Sequence, residues 1–126
     1  LKSEIENFVN NWKTDWENLA GANNLWKYAG HYAEDFYGYN GGRGFNKDQW
    51  MKDKRKKYAK KKWVKVDVKN LQIEVHDKQS ANVKFDQNFN SSNYYPDNPE
   101  RGVKTLRLKK IDDQWKVSHE DWQKKE

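Results

Sequence analysis

A chain of 126 residues has the length of one domain and no room for a second sizeable core. Hydrophobic residues make up only 34%, yet seven Trp, seven Tyr and five Phe raise the aromatic share to 15%, which predicts a compact aromatic core and excludes a disordered chain. Twenty-five Lys and Arg against nineteen Asp and Glu leave a net charge of +6, which favours anionic partners, and the lack of Cys excludes disulfides, thiol nucleophiles and Cys-ligated zinc.

In chain order, Ile5, Phe8, Val9, Trp12, Trp16 and Leu19 recur at helical offsets behind a Ser3/Glu6 capping-box pattern and predict a first helix ending near Gly21. Leu25, Tyr28, Ala29, Tyr32 and Phe36 repeat that spacing and predict a second helix up to Gly38. The glycine-rich segment from Tyr37 to Phe45 reads as a flexible flap in which Arg43 could reach an anion. Asn46 and Gln49 cap a third helix with Trp50, Tyr58 and Ala59 on one side and a basic face on the other. No run nears the ~18 apolar residues of a membrane span.

From Trp63 the period becomes two. Val64, Val66 and Val68 share one face, while Leu71, Ile73 and Val75 fall one residue out of phase, which predicts a bulge or sharp bend near Lys69 and Asn70. A turn from Asp77 to Ser80 leads to Val83, Phe85, Gln87 and Phe89, followed by strands containing Leu106 with Leu108 and Trp115 with Val117. The expected architecture is α+β, with three helices on a strongly curved four-stranded antiparallel meander that closes into a cone with a pocket at its mouth. The outer sheet face would carry Lys84, Asp86, Arg107 and Lys109, too charged for a large apolar interface, so a monomer or weak dimer is expected.

Strand parity also places polar groups among apolar ones. Gln87 is in phase with Phe85 and Phe89, Lys104 with Leu106 and Leu108, and His119 with Trp115 and Val117. Buried amides and charges need partners or a wet cavity, so these three residues mark a polar-lined pocket. His31 and Asp35, at i and i+4, lack any further ligand at metal-site spacing, and neither a metal nor a cofactor is expected.

Four stretches, HYAEDFYGYNGGRGFNKDQW, KKKWVKVDVKNLQI, FDQNFNSS and VKTLRLKKIDDQWKVSHE, together resemble the NTF2-like domain at the C-terminus of YkuD-type peptidoglycan enzymes, the L,D-transpeptidase and L,D-carboxypeptidase group. The resemblance covers nearly the whole chain and implies a single NTF2-like domain over residues 1–126, excised from a larger protein of the periplasm or cell envelope. It also implies a pocket for peptidoglycan-derived peptides beside a linked catalytic domain, with family positions at Trp50, Gln87, Ser91, Lys104, Trp115 and Glu120. Two positions depart from the pattern: Lys54-Arg55 stands where the family often has Arg-Arg, and Phe89 where it often has Tyr. With no Cys, the chain cannot itself carry the YkuD nucleophile.

The leading expectation is a non-catalytic module binding an anionic glycopeptide through Tyr32, Trp50, Arg55, Gln87, Tyr94, Lys104 and His119. A second is a small isomerase or dehydratase using Tyr32, Asp35 and His119 or Glu120 as acid and base. A third is nucleic-acid binding through Lys52 to Lys62 with Tyr58 and Trp63 interleaved, which no RNP, KH or helix-turn-helix pattern supports.

Overall fold

The structure is a computed structural model that describes residues 1–92 and 99–125. Tyr94, one of the expected pocket aromatics, lies outside the described residues. The chain runs α1 (Lys2–Glu17), a 3-10 turn (Ala20–Ala22), α2 (Leu25–Ala29), β1 (Tyr32–Asn40), β2 (Arg43–Asn46), α3 (Lys47–Tyr58), β3 (Val64–Asp77), β4 (Ser80–Ser91), β5 (Glu100–Ile111) and β6 (Gln114–Lys124). One curved sheet has the order β2-β1-β6-β5-β4-β3, antiparallel except where β1 runs parallel to β6.

The α+β architecture and the β3 to β6 meander agree with the sequence reading, but the sheet has six strands, not four. The second helix stops at Ala29, and the segment expected to continue it as far as Gly38 is strand β1. Tyr32, Phe36 and Gly38 are spaced by four and two, and a separation of four satisfies both periods. The pairing that selects strand is with β6, more than 80 residues away in sequence. The supposed flap is the β1–β2 hairpin: Asn40 pairs with Arg43 across Gly41 and Gly42, whose φ angles of 62° and 77° suit a two-residue turn that glycine adopts without Cβ strain. Ser3 does not cap α1, which begins at Lys2 with Leu1 in the capping position. The α3 box is present, with Gln49 N–H donating to Asn46 Oδ1 and Asn46 N–H to Gln49 Oε1, both at 2.9 Å.

The bend near Asn70 is also present. Pairing between β3 and β4 slips between Lys69 and Gln72, and Asn70 takes φ 56° while its side-chain amide donates to Asp86 Oδ2 at 2.7 Å. The bend lets β3 and β4 fold back over α1, whose buried stripe of Ile5, Phe8, Val9, Trp12 and Trp16 fills the concave face. Trp12 sits edge-on to Phe85 and Trp16 stacks on Phe89, with ring centroids 5.9 and 5.4 Å apart, so each indole closes one layer of the cone.

A closely packed point lies where β5 passes β6 beside the cone mouth. A Cβ on Gly102 would fall 2.3 Å from the Gln123 carbonyl oxygen, and backbone cannot yield there as a flexible side chain would. Gly102→Ala is therefore expected to lower unfolding free energy by about 1–3 kcal/mol in urea titrations, with the loss carried by a shifted midpoint.

Candidate functional site

At the cone mouth is a cavity of about 380 Å³, within the range of small-ligand sites. Its walls come from Trp16 of α1, Lys54 and Tyr58 of α3, Lys61 just beyond α3, Gln87 and Phe89 of β4, Glu100 and Lys104 of β5, and Trp122 of β6. The site rests on cations laid over aromatic rings. Lys104 Nζ lies 5.0 Å from the Trp16 ring centroid and 5.5 Å from that of Trp122, while Lys54 Nζ lies 4.6 Å from Trp50 and 5.7 Å from both Trp16 and Tyr58. Lys61 Nζ stands 5.5 Å from the Tyr58 ring and donates to Ser91 Oγ at 2.7 Å. Desolvated cation–π contacts of this kind stabilise by roughly 0.5–2 kcal/mol each and help hold ammonium groups in an apolar wall.

The ammonium groups differ in what answers their charge. Lys104 is 3% exposed and donates to Glu120 Oε2 at 2.5 Å, forming an ion pair inside the cone. Glu120 Oε1 accepts from Tyr32 Oη at 2.7 Å; Tyr32 Oη accepts from Trp12 Nε1 at 3.0 Å and shares a 2.7 Å bond with Tyr28 Oη, which accepts from Trp50 Nε1. Burial and the Glu120 charge hold both phenols well above the usual tyrosine range, so they stay protonated. Lys54 is 5% exposed and makes no ion pair or hydrogen bond among the described residues, the Glu120 carboxylate being taken up by Lys104. Burial, reinforced by the Lys104 charge, lowers its pKa from 10.5 to about 8. Gln87 is 4% exposed, and its carbonyl oxygen has no donor among the described residues.

Of the residues expected from the sequence, Gln87 and Lys104 line the cavity. Trp50 lies one layer beneath, touching Lys54, and Tyr32 lies deeper, holding Glu120. Ser91 and Glu120 serve as partners for Lys61 and Lys104, whereas Trp115 stands at the far end of β6. Arg55 faces solvent; its neighbour Lys54, four residues from both Trp50 and Tyr58, is the one turned inward. Arg43 sits on the β1–β2 hairpin, 5.1 Å from the Phe45 ring, and does not line the cavity.

His119 is misplaced by simple parity. Val117 pairs with Leu108 and His119 with Arg107, so Ser118 is an extra residue, a bulge in which Val117 and Ser118 are both buried. Beyond it the faces exchange: Glu120 points into the cone, and His119 packs edge-on against Tyr39 on the outer face, 5.8 Å away. Of the expected acid–base set only Tyr32 and Glu120 meet, Tyr32 Oη donating to the Glu120 carboxylate at 2.7 Å in the core. Asp35 pairs with Lys109 at 2.9 Å on the surface, and His31 pairs with Asp15 rather than with Asp35. No group of three metal-ligating side chains occurs among the described residues.

Sequence reasoning missed Lys54, Lys61, Trp16, Tyr58 and Trp122 as cavity walls. The 50/54/58 spacing on α3 was a usable signal for Lys54, but Trp122 is brought in only by the Ser118 bulge.

Two outcomes follow from the charges. Glu120→Ala leaves the Lys104 ammonium buried and unpaired, and a loss of about 3–5 kcal/mol in denaturant-measured stability is expected. For Lys54, the folded pKa lies below the unfolded value, so between about 8 and 10.5 the unfolded chain binds more protons. Stability is therefore expected to rise as pH climbs above about 8, by up to about 3 kcal/mol, until the raised tyrosines reverse the trend above a pH of about 10. In Lys54→Met the rise should be absent from urea midpoints measured across that window.

The chain superposes on the structure of Bdellovibrio bacteriovorus Bd1075 with a TM-score of 0.82 and 28% identity, covering 98% of this chain and 40% of that one. The chain thus spans well under half the length of that relative. It also matches a provisionally named scytalone dehydratase from Novosphingobium aromaticivorans DSM 12444 (TM-score 0.84, 18% identity, 99% of this chain and 84% of that one). An NTF-2 like protein of unknown function from Shewanella oneidensis MR-1 matches with a TM-score of 0.73 and 21% identity over 96% and 97% of the two chains. At these lower identities the likeness shows a shared fold. No curated protein matches the chain. The family model described as the Cds6 C-terminal NTF2-like domain matches residues 4–121, and the chain therefore belongs to that family.

Proposed function

We propose that this domain is a non-catalytic binding module that holds a carboxylate-bearing peptide, of the kind found in peptidoglycan stem peptides, in the lysine-walled cavity. The carrying observation is Lys54, a buried cation that faces the cavity and makes no ion pair or hydrogen bond, beside a Gln87 carbonyl that lacks a donor, both among the described residues. A ligand carboxylate would supply the missing anion and its peptide N–H the missing donor, and both are charge-assisted or desolvated contacts of the stronger kind. Lys104, already neutralised by Glu120, adds a rigid wall more than a free charge.

The resemblance to modules of YkuD-type enzymes supports the peptidoglycan source, and the 40% share of Bd1075 supports a domain working within a longer chain. On this reading the linked catalytic domain performs the chemistry and the pair resides in the cell envelope. The isomerase or dehydratase reading has less support, because Asp35 and His119 lie on the surface and on the outer sheet face, and the Tyr32–Glu120 pair that does meet is buried with Glu120 already tied to Lys104.

The test is an amide NMR and calorimetric titration with the tripeptide L-Ala-γ-D-Glu-meso-diaminopimelate, with a short oligonucleotide as comparison. Saturable shifts centred on Lys54, Gln87 and Lys104 are expected. Because an anion favours protonated Lys54, affinity should fall as pH rises above about 8. Lys54→Met should weaken binding about tenfold or more and abolish that pH dependence. Absence of tripeptide binding, with oligonucleotide shifts along Lys52 to Lys62, would transfer the function to the basic face of α3.

A further inference from the structure

A second concavity lies toward the other ends of α1 and β6. It is a groove of about 610 Å³ between the N-terminal half of α1, α2 and the start of β6. Two indoles shape it. Trp26 is 74% exposed, the most exposed large apolar side chain among the described residues, and Trp115 is buried in the groove wall with an N–H that lacks an acceptor. Trp26 is held out by local structure: Asn24 takes the left-handed conformation at φ 57° as the N-cap of the five-residue α2. Lys116 Nζ donates to the Gly30 carbonyl where that helix ends. Such an exposed indole on an anchored turn is an unfilled contact surface.

Each carboxylate of the groove is paired with a basic side chain, and its two lysines, Lys27 and Lys116, lie against the Trp26 ring and the Gly30 carbonyl. Glu4 pairs with Lys110 at 3.3 Å, Asp15 with His31 at 2.6 Å, and the Lys27 ammonium stands 5.5 Å from the Trp26 ring. What is left unpartnered is neutral: the carboxamides of Asn7, Asn11 and Gln114 line the groove and make no side-chain hydrogen bond to the described residues. Asn7 and Asn11 are four residues apart on α1 and so project from one face. In the lysine cavity, by contrast, Lys54 is a buried cation without an ion pair among the described residues.

Flat aromatic surface beside paired donors and acceptors, without net charge, matches a ligand that has an apolar face and a rim of hydroxyls. A pyranose with equatorial substituents has that shape: its axial C–H bonds form a face that lies on an indole, and its hydroxyls both donate to and accept from a carboxamide. We infer that the groove between α1, α2 and β6 is a saccharide-binding site in which Trp26 is the stacking platform and Asn7, Asn11 and Gln114 read the hydroxyls. A sugar hydroxyl seated against the wall would also give the Trp115 N–H its acceptor. The inference does not depend on the anion reading, because no residue is common to the two sites.

The experiment titrates the full chain with chitotetraose and, separately, cellotetraose, by calorimetry and by following the seven indole N–H resonances. At least one sugar should bind saturably and move the Trp26 and Trp115 resonances. Because the contacts are uncharged, affinity should change less than about twofold between about 0.05 and 0.5 M salt, while tripeptide binding at Lys54 weakens. Trp26→Ala, a solvent-exposed change that leaves the core intact, should lower affinity about tenfold or more, and Asn11→Ala by less. Lys54→Met should leave sugar binding unchanged. No saturation by either sugar up to about 10 mM, equal affinity in Trp26→Ala, or shifts confined to Lys54 and Gln87 would each overturn the assignment.

Discussion

One buried ion pair organises this domain. Lys104 and Glu120 face each other inside an aromatic cone, where either charge alone would cost several kcal/mol. The pair is tolerated because its remaining hydrogen-bonding capacity is met: Glu120 also accepts from Tyr32, and Tyr32 is tied to Trp12 and Tyr28, the latter to Trp50. Through this chain a single carboxylate connects α1, α2, β1, α3, β5 and β6. The relative placement of the helices and the far strands of the sheet is set by polar geometry as well as by apolar burial.

The same arrangement explains why the cavity keeps a basic wall although one of its lysines is neutralised from within. Lys54 and Lys104 both approach the Trp16 ring and are almost equally buried, yet only Lys104 makes an ion pair inside the cone. A second carboxylate would have made a closed, neutral core. Without it, Lys54 sits at the mouth with its pKa lowered to about 8 by burial and by the Lys104 charge. The net charge of +6 suggested a broad basic surface on α3, whereas the charge best placed to recognise a small ligand is the lysine of that helix turned away from the surface.

Much of this was legible from period and parity. The α1 stripe, the α3 capping box, the bend at Asn70 and the inward amide of Gln87 all follow from spacings within a single element. Lys104 followed from its phase with Leu106 and Leu108, although its partner did not. The failures share a cause. Tyr32 and Phe36 are four apart, a spacing that serves both the helix and the strand period, and the pairing partner that makes β1 a strand lies at the other end of the chain. Parity carried through Ser118 points His119 inward, but there the strand holds one residue more than its partner and the faces exchange.

By itself, then, the sequence determined the class of fold, the aromatic character of the core, the bend in the sheet, and two of the polar residues that line the mouth of the cone. These are consequences of local stereochemistry, in which side-chain direction depends on position within one helix or strand. The parallel insertion of β1 beside β6, the bulge that turns Glu120 inward and His119 outward, and the inward turn of Lys54 without an ion pair among the described residues were decided only in three dimensions. Each depends on register between segments distant in the chain, and register is chosen by the burial and pairing energy of the assembled sheet, which no local pattern encodes.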